Sequence, residues 1–205
     1  GKLSEEEISL LPSGWAQIGH VAILTLPNEL MEKAREIGES LLGIGGIRTV
    51  AVRTGPITGR ERRPRITVVT GEEKTETIHR EHGCLFKLDV AKVMFSPGNV
   101  GERGRLPKLV RPGEVVVDLF AGVGQFSIPI AKNAEPEKVY AIELNRVAFE
   151  YLKENVDLNG VRHVVKPILG DCSEVAPRGV ADRVVMGLLH VTHKYLPLAM
   201  EVLRP

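Results

Sequence analysis

The segment Val115-Val-Val-Asp-Leu-Phe-Ala-Gly-Val-Gly-Gln-Phe-Ser127 decides the fold. Val115–Leu119 is a short, mostly apolar run of the kind that forms a buried strand, and Gly124–Lys132 behind it has helical spacing. Between them, Gly122 and Gly124 let the backbone turn tightly and approach a ligand closely. The helix that starts there offers N–H groups with no partner inside the helix. A strand, a glycine turn and a helix start together suit an anionic group such as a carboxylate or a pyrophosphate.

The same alternation continues toward the C-terminus. Val139–Ile142 is a second strand, and Arg146–Leu158 an amphipathic helix ended by Asn159-Gly160. Ile168–Leu169 and Arg183–Met186 supply two more strands, and His193–Leu203 a last helix. Strands alternating with helices predict an α/β fold, a parallel sheet covered on both faces. Four features then select a ligand. The glycines at 122 and 124 lack the third glycine of a dinucleotide fingerprint. Asp118, not a glycine, ends the first strand. Glu143 ends the second, where a carboxylate can accept both hydroxyls of a ribose. Gly170-Asp171-Cys172 ends the third, placing an acid to meet an adenine amino group. Such a set is typical of S-adenosylmethionine sites, with Asp118, Phe120, Gly122, Gly124, Glu143, Asp171 and Cys172 as cofactor residues. Taken singly, Asp118 is equally readable as a helix cap and Glu143 as a surface carboxylate. Cys172 reads as a small filler whose backbone N–H serves the adenine.

Residues 1–95 form a smaller α+β domain, with strands at 17–26, Ile47–Val52, Arg65–Thr70 and Cys84–Asp89 and a helix at Asn28–Ser40. Gly59-Arg-Glu-Arg-Arg-Pro64 is a basic tip or loop, which is either a phosphate contact with Arg65 or a solvated turn. Residues 96–113 are a Gly, Pro and Arg-rich connector, and 114–205 the Rossmann domain. The net charge of +1 is unevenly spread: residues 1–95 carry 13 basic and 13 acidic groups, and 114–205 carry 10 and 12. The connector holds Arg103, Arg105, Lys108 and Arg111 against Glu102 alone. That surplus suits a polyanion, or simply water. A full methyltransferase-type sheet has more strands than the four visible here, so the C-terminal strands are expected to be missing from this chain. No apolar run is long enough to span a bilayer and no signal peptide is evident, which predicts a cytoplasmic protein with no membrane partner. Cys84 and Cys172 lack metal-ligand spacing and are expected as free thiols, with no metal site.

Phe95-Ser-Pro-Gly-Asn-Val-Gly-Glu-Arg103, the Asp118–Ser127 loop and Ala181-Asp-Arg-Val-Val-Met186 together resemble the class I enzymes that modify the purine 3′ of the tRNA anticodon. That group holds the archaeal and eukaryotic tRNA (guanine-N1)-methyltransferases and the tRNA wybutosine-synthesizing protein 2 family. The methylating branch carries an Asn-Leu-Pro-like motif after the fourth strand. Here Gly187-Leu-Leu-His190 and Thr192-His-Lys-Tyr-Leu196 stand in that place, which resembles the wybutosine branch. A glycine at 187 is expected to leave room for another orientation of the cofactor's methionine arm.

The resemblance implies a transferase that uses S-adenosylmethionine as a 3-amino-3-carboxypropyl donor toward the tricyclic wyosine-precursor base in the anticodon loop of tRNA(Phe), releasing 5′-methylthioadenosine. It assigns cofactor contacts to Ser96, Arg103, Glu143, Asp171 and Cys172. Arg103 would grip the methionine carboxylate, since guanidinium binds carboxylates bidentately; a surface or tRNA-phosphate contact is its other reading. Ser96 is alternatively a cap for 97–105. A sulfonium is already an excellent leaving group, so orientation of the donor carbon is the main requirement. No triad, metal cluster or carboxylate pair is evident, and no catalytic residue is assigned. His190 and His193 lie near the fourth strand end without partners that would define a role, and His20 on its apolar strand reads as a satisfied core residue. Guanine-N1 methylation, and a non-catalytic module that binds S-adenosylmethionine and RNA, remain the alternatives. The oligomeric state is not readable.

Overall fold

The computed structural model describes residues 3–188 and 191–205 and divides the chain into two compact units. The first comprises residues up to 79 with 89–92, the second 80–88 with 93–205.

The first unit opens with helix α1 (Glu5–Ser9), which the sequence reading missed. Ser4 and Glu7 form a reciprocal capping box there, each side chain bonding the other's backbone N–H. The apolar run 17–26 is not one strand but two: β1 (Ala16–Ile18) turns at Gly19 and returns antiparallel as β2 (Val21–Leu24). Gly19 has φ +55°, and a Cβ there would lie 2.0 Å from Thr77 Oγ1, so the turn tolerates only glycine. A 3-10 turn (Asn28–Lys33) leads into α2 (Ala34–Glu39). The run then crosses to β3 (Thr49–Thr58), parallel to β2, and β4 (Arg63–Gly71) closes an antiparallel hairpin. Leu30, Ala34, Ile37 and Leu41 recur at helical spacing and bury against Ala22, Leu24, Val50 and Val52. Only the first four residues of β3 are buried; the rest alternates, carrying the Arg60–Arg63 tip beyond this core. His20 is a satisfied core residue, bonded to Thr77 Oγ1 at 2.9 Å and the Lys74 carbonyl at 3.2 Å.

Strands β5 (Glu76–Glu81) and β6 (Cys84–Asp89) form a two-stranded sheet through which the division between the units runs. Its turn places His82 and Gly83 at φ 48° and 74°, the signs of a tight primed hairpin.

In the second unit, helix α3 (Val100–Arg105) and flanking 3-10 turns occupy the connector. Strand β7 (Val115–Asp118) and helix α4 (Ser127–Asn133) follow, then β8 (Lys138–Glu143), α5 (Arg146–Leu158), β9 (Val165–Leu169), the short α6 (Cys172–Val175), β10 (Arg183–Val185) and α7 (Leu196–Val202). The four strands are parallel in the order β10-β7-β8-β9. Side chains alternate between two covered faces, as a parallel sheet demands. Val116, Val139 and Ala141 pack with Ile130, Leu152 and Val156, whereas Val117 and Ile142 pack with Cys172, Ala181 and Val202. The chain thus builds an α/β sheet whose order reverses between β7 and β10. Ligands of such sheets sit in the crevice at the carboxyl ends of the strands, at that reversal. Both cysteines are buried and free. Among the described residues no helix is long and apolar enough to cross a membrane.

Candidate cofactor site

The register brings the sequence-selected residues to one edge of the second unit. Asp118 ends β7 opposite Ala141 of β8 and Val185 of β10, and Glu143 ends β8 opposite Leu169 of β9. Asp171 lies two residues past β9, and Gly187 two residues past β10.

Glu143 is half-buried and held by two main-chain donors, the N–H of Gly122 at 2.7 Å and of Asn145 at 2.7 Å. Asn145 in turn caps α5, its Oδ1 accepting from Val147 N at 2.9 Å and Ala148 N at 3.3 Å. A carboxylate fixed in this way at the strand end is what a ribose diol requires. Leu144, beside it in the chain, and Leu169, opposite it in register, expose apolar surface for a flat heterocycle. The Asp171 carboxylate caps α6 through Ser173. Cys172 is buried beside it, and burial, with the Asp171 charge, pushes its thiol up to about 11. The thiol is protonated at neutral pH and is no nucleophile.

The loop itself differs from expectation in its hydrogen bonds. The N–H of Gly122 is taken by Glu143, and those of Gly124 and Gln125 by the Ala121 carbonyl. These three donors are committed within the protein. Gly124 has φ +95°, and a Cβ would come within 2.5 Å of Ile128, so this glycine serves packing of the turn on α4.

Two further expectations change. Asp118 is fully buried. Its carboxylate accepts from Ser127 Oγ at 2.7 Å and Phe120 N at 3.2 Å, bracing both ends of the loop from below. Burial raises its pKa to about 6 against those hydrogen bonds, with Glu143 adding to the rise. Its side chain supports the glycine loop and has no surface to offer a ligand. Arg103 is likewise fully buried, so it is neither a surface contact nor an open grip for a carboxylate. Its Nε and Nη2 donate to Glu81 at 2.6 and 2.8 Å, and its Nη1 to the Ser96 carbonyl at 2.8 Å. The guanidinium also lies 4.6 Å from the centroid of the Phe95 ring. Ser96 is half-buried and makes no side-chain cap. Of the connector cations, Arg105 pairs with Glu102 at 2.8 Å, so two of the four spend their charge within this unit.

Sequence reasoning missed two amides. Gln125 accepts from Ser96 N at 3.1 Å and from Arg103 Nη1 at 3.4 Å, and donates to the Met94 carbonyl at 3.3 Å. It clasps the 94–96 segment to the glycine loop. Asn155, fully buried on α5, donates to the carbonyls of Val123 at 3.0 Å and Lys87 at 2.9 Å and accepts from Lys87 N at 2.6 Å. A polar residue on the apolar stripe of a helix was the available signal. Phe120 packs edge-on against Tyr195, centroids 4.9 Å apart.

At the reversal of strand order lies a hollow of about 320 Å³, lined on one side by Val184, Val185, Met186 and Gly187 of the β10 end. Phe126 and Leu106 add apolar wall, and Asn99, Glu102 and Arg183 polar rim. His193 is exposed, and His190 lies outside the described residues.

Comparison with known proteins places the fold in a family. The family model for the TRM5/TYW2 methyltransferase domain matches residues 77–205, and that for the TYW2 N-terminal domain residues 1–75. The tRNA(Phe) (4-demethylwyosine(37)-C(7)) aminocarboxypropyltransferase of Methanocaldococcus jannaschii is 50% identical over 157 residues, covering 77% of this chain and 62% of that protein. A crystal structure of Trm5b from Pyrococcus abyssi superposes with a TM-score of 0.89 at 41% identity, covering 99% of this chain and 60% of that one. The structure of P. horikoshii TYW2 in complex with MeSAdo superposes at 0.81 with 37% identity, covering 99% and 72%. The chain thus spans about three fifths of the length of the first two of these relatives.

Proposed function

This chain belongs to the TRM5/TYW2 methyltransferase family, and we propose that within it the chain transfers the 3-amino-3-carboxypropyl group of S-adenosylmethionine to the tricyclic wyosine-precursor base of tRNA(Phe). The observation that carries this reading over methylation is Gly187. Position 187, two residues past β10, where the methylating branch places an asparagine, carries no side chain and faces the edge of Phe126. The match of residues 1–75 to the TYW2 N-terminal domain, and the 50% identity to an enzyme named for aminocarboxypropyl transfer, support the same branch.

The residues present fit the cofactor. Glu143 would hold the ribose, Asp171 the adenine amino group and Leu144 with Leu169 the flat faces of the adenine. The bound cofactor supplies a sulfonium, a leaving group that needs no protonation. What the protein adds is position. Asp118 and Ser127 fix the loop from beneath, and Asn155 and Gln125 hold it from the sides. The hollow beside Phe126 and Met186 would give the approaching base an apolar wall to lie against. Transfer would form a carbon–carbon bond to the base, break the donor's carbon–sulfur bond and release 5′-methylthioadenosine as a neutral thioether, with the displaced proton passing to solvent. The target lies in the anticodon loop, next to the anticodon.

Incubation of the enzyme with tRNA and S-adenosylmethionine tests the proposal by product. Aminocarboxypropyl transfer releases methylthioadenosine, and methylation releases S-adenosylhomocysteine. Release of S-adenosylhomocysteine alone would move the chain to the guanine-N1 branch. Binding of both ligands with neither product would make it a non-catalytic module.

A further inference from the structure

The space that a glycine at 187 was expected to open is already filled. A Cβ built on Gly187 would lie 2.8 Å from Cε2 of Phe126 and 3.3 Å from its Cδ2, closer than a real Cβ is found to a ring carbon. Phe126 arrives there from another part of the chain. It is the last loop residue before α4, whereas Gly187 follows β10, so the two face each other across the reversal between β7 and β10. Both line the same hollow, and part of the ring packs on the core that contains Val116 and Val185.

This changes what the missing side chain does. A polar residue at 187 would bring a hydrogen-bonding group to the hollow. The ring edge in its place offers only C–H groups, weakly positive by the aromatic quadrupole, and a flat apolar face. A base lying against it gains contact area but no in-plane hydrogen bond.

We infer that Phe126 is a specificity-determining residue: its ring edge stands where the side chain of residue 187 would project, and positions 126 and 187 act as one unit in setting which carbon of the donor the acceptor base reaches. The inference rests on the aminocarboxypropyl reading above. It names a different residue from those that hold the cofactor, and a coupling that neither position shows alone.

A double-substitution cycle tests it. Phe126→Leu, Gly187→Ala and the combined variant are compared with the unaltered enzyme in two measurements. Calorimetry gives S-adenosylmethionine affinity without tRNA, and the ratio of methylthioadenosine to S-adenosylhomocysteine is read with tRNA. The Gly187→Ala methyl meets the ring and should weaken cofactor binding about fivefold, and leucine at 126 should restore it to within about twofold. Phe126→Leu alone should raise the S-adenosylhomocysteine share about tenfold. Thermal melts identify any variant whose fold has failed. Additive effects on affinity, or an unchanged product ratio in Phe126→Leu, would overturn the inference. If the unaltered enzyme releases only S-adenosylhomocysteine, the reaction reading fails, and the affinity cycle still decides whether the two positions are coupled.

Discussion

Arg103 and Glu81 form a bidentate ion pair, Nε to Oε1 at 2.6 Å and Nη2 to Oε2 at 2.8 Å, with the arginine side chain sealed from solvent. Removing one partner of such a pair leaves a buried charge without compensation, at a cost of about 3–5 kcal/mol. Glu81→Gln and Arg103→Ala should therefore lose stability of that order in denaturant unfolding. If Arg103 gripped the cofactor instead, Arg103→Ala would lose affinity with its unfolding midpoint unchanged, and calorimetry beside the melt separates the two.

Asp118 gives the protein a specific pH dependence. Its ordinary pKa of 3.8 rises to about 6 in the fold because burial disfavours the charge. Between those values the folded protein binds a proton that the unfolded chain has released, so stability falls as pH rises from about 4 to about 6, then levels. Asp118→Asn cannot titrate. The stability difference between it and the unaltered protein should shift by up to about 2–3 kcal/mol across that window, in favour of the asparagine at the higher pH. A pH-independent difference would show that Asp118 does not titrate there.

Asn155→Ala should destabilise the protein by about 2–4 kcal/mol. It strips partners from the Val123 carbonyl and from both main-chain groups of Lys87, all in or beside buried structure. Because Val123 sits in the glycine loop, the loss should appear in cofactor affinity as well as in the unfolding free energy.

Glu143→Gln keeps the size of the side chain but turns one acceptor into a donor that faces a backbone N–H, at Gly122 or at Asn145. Cofactor affinity measured by calorimetry should fall about tenfold or more, corresponding to about 1.4 kcal/mol or above. Adenosine, which shares the ribose, should weaken in parallel.

The elements visible in the sequence are those whose signals are local. Helix α5 has its bounds announced by the Asn145 cap, an apolar stripe through Ala148, Leu152 and Val156, and Asn159-Gly160 at its end. The strand ends that gather Glu143, Asp171 and Gly187 follow from the alternation of strands and helices. The β1–β2 turn was hidden because His20 continues an apolar run and only the conformation of Gly19 breaks it. Strand β5 was missed for the opposite reason: Thr77 is its one buried residue, so no alternation of apolar side chains marks it. Arg103 was placed at the cofactor by the family resemblance, with the bidentate grip of a guanidinium on a carboxylate as its physical ground. Its actual partner, Glu81, is 22 positions away with nothing local to announce it.

Gln125 joins the segment before the Rossmann sheet to the loop inside it through Met94, Ser96 and Arg103. The two stretches are consequently held together by amide hydrogen bonds, so a ligand that touched both would meet them already joined. If binding on one stretch changed affinity on the other, reciprocity would make that change the same in whichever order the two ligands arrived.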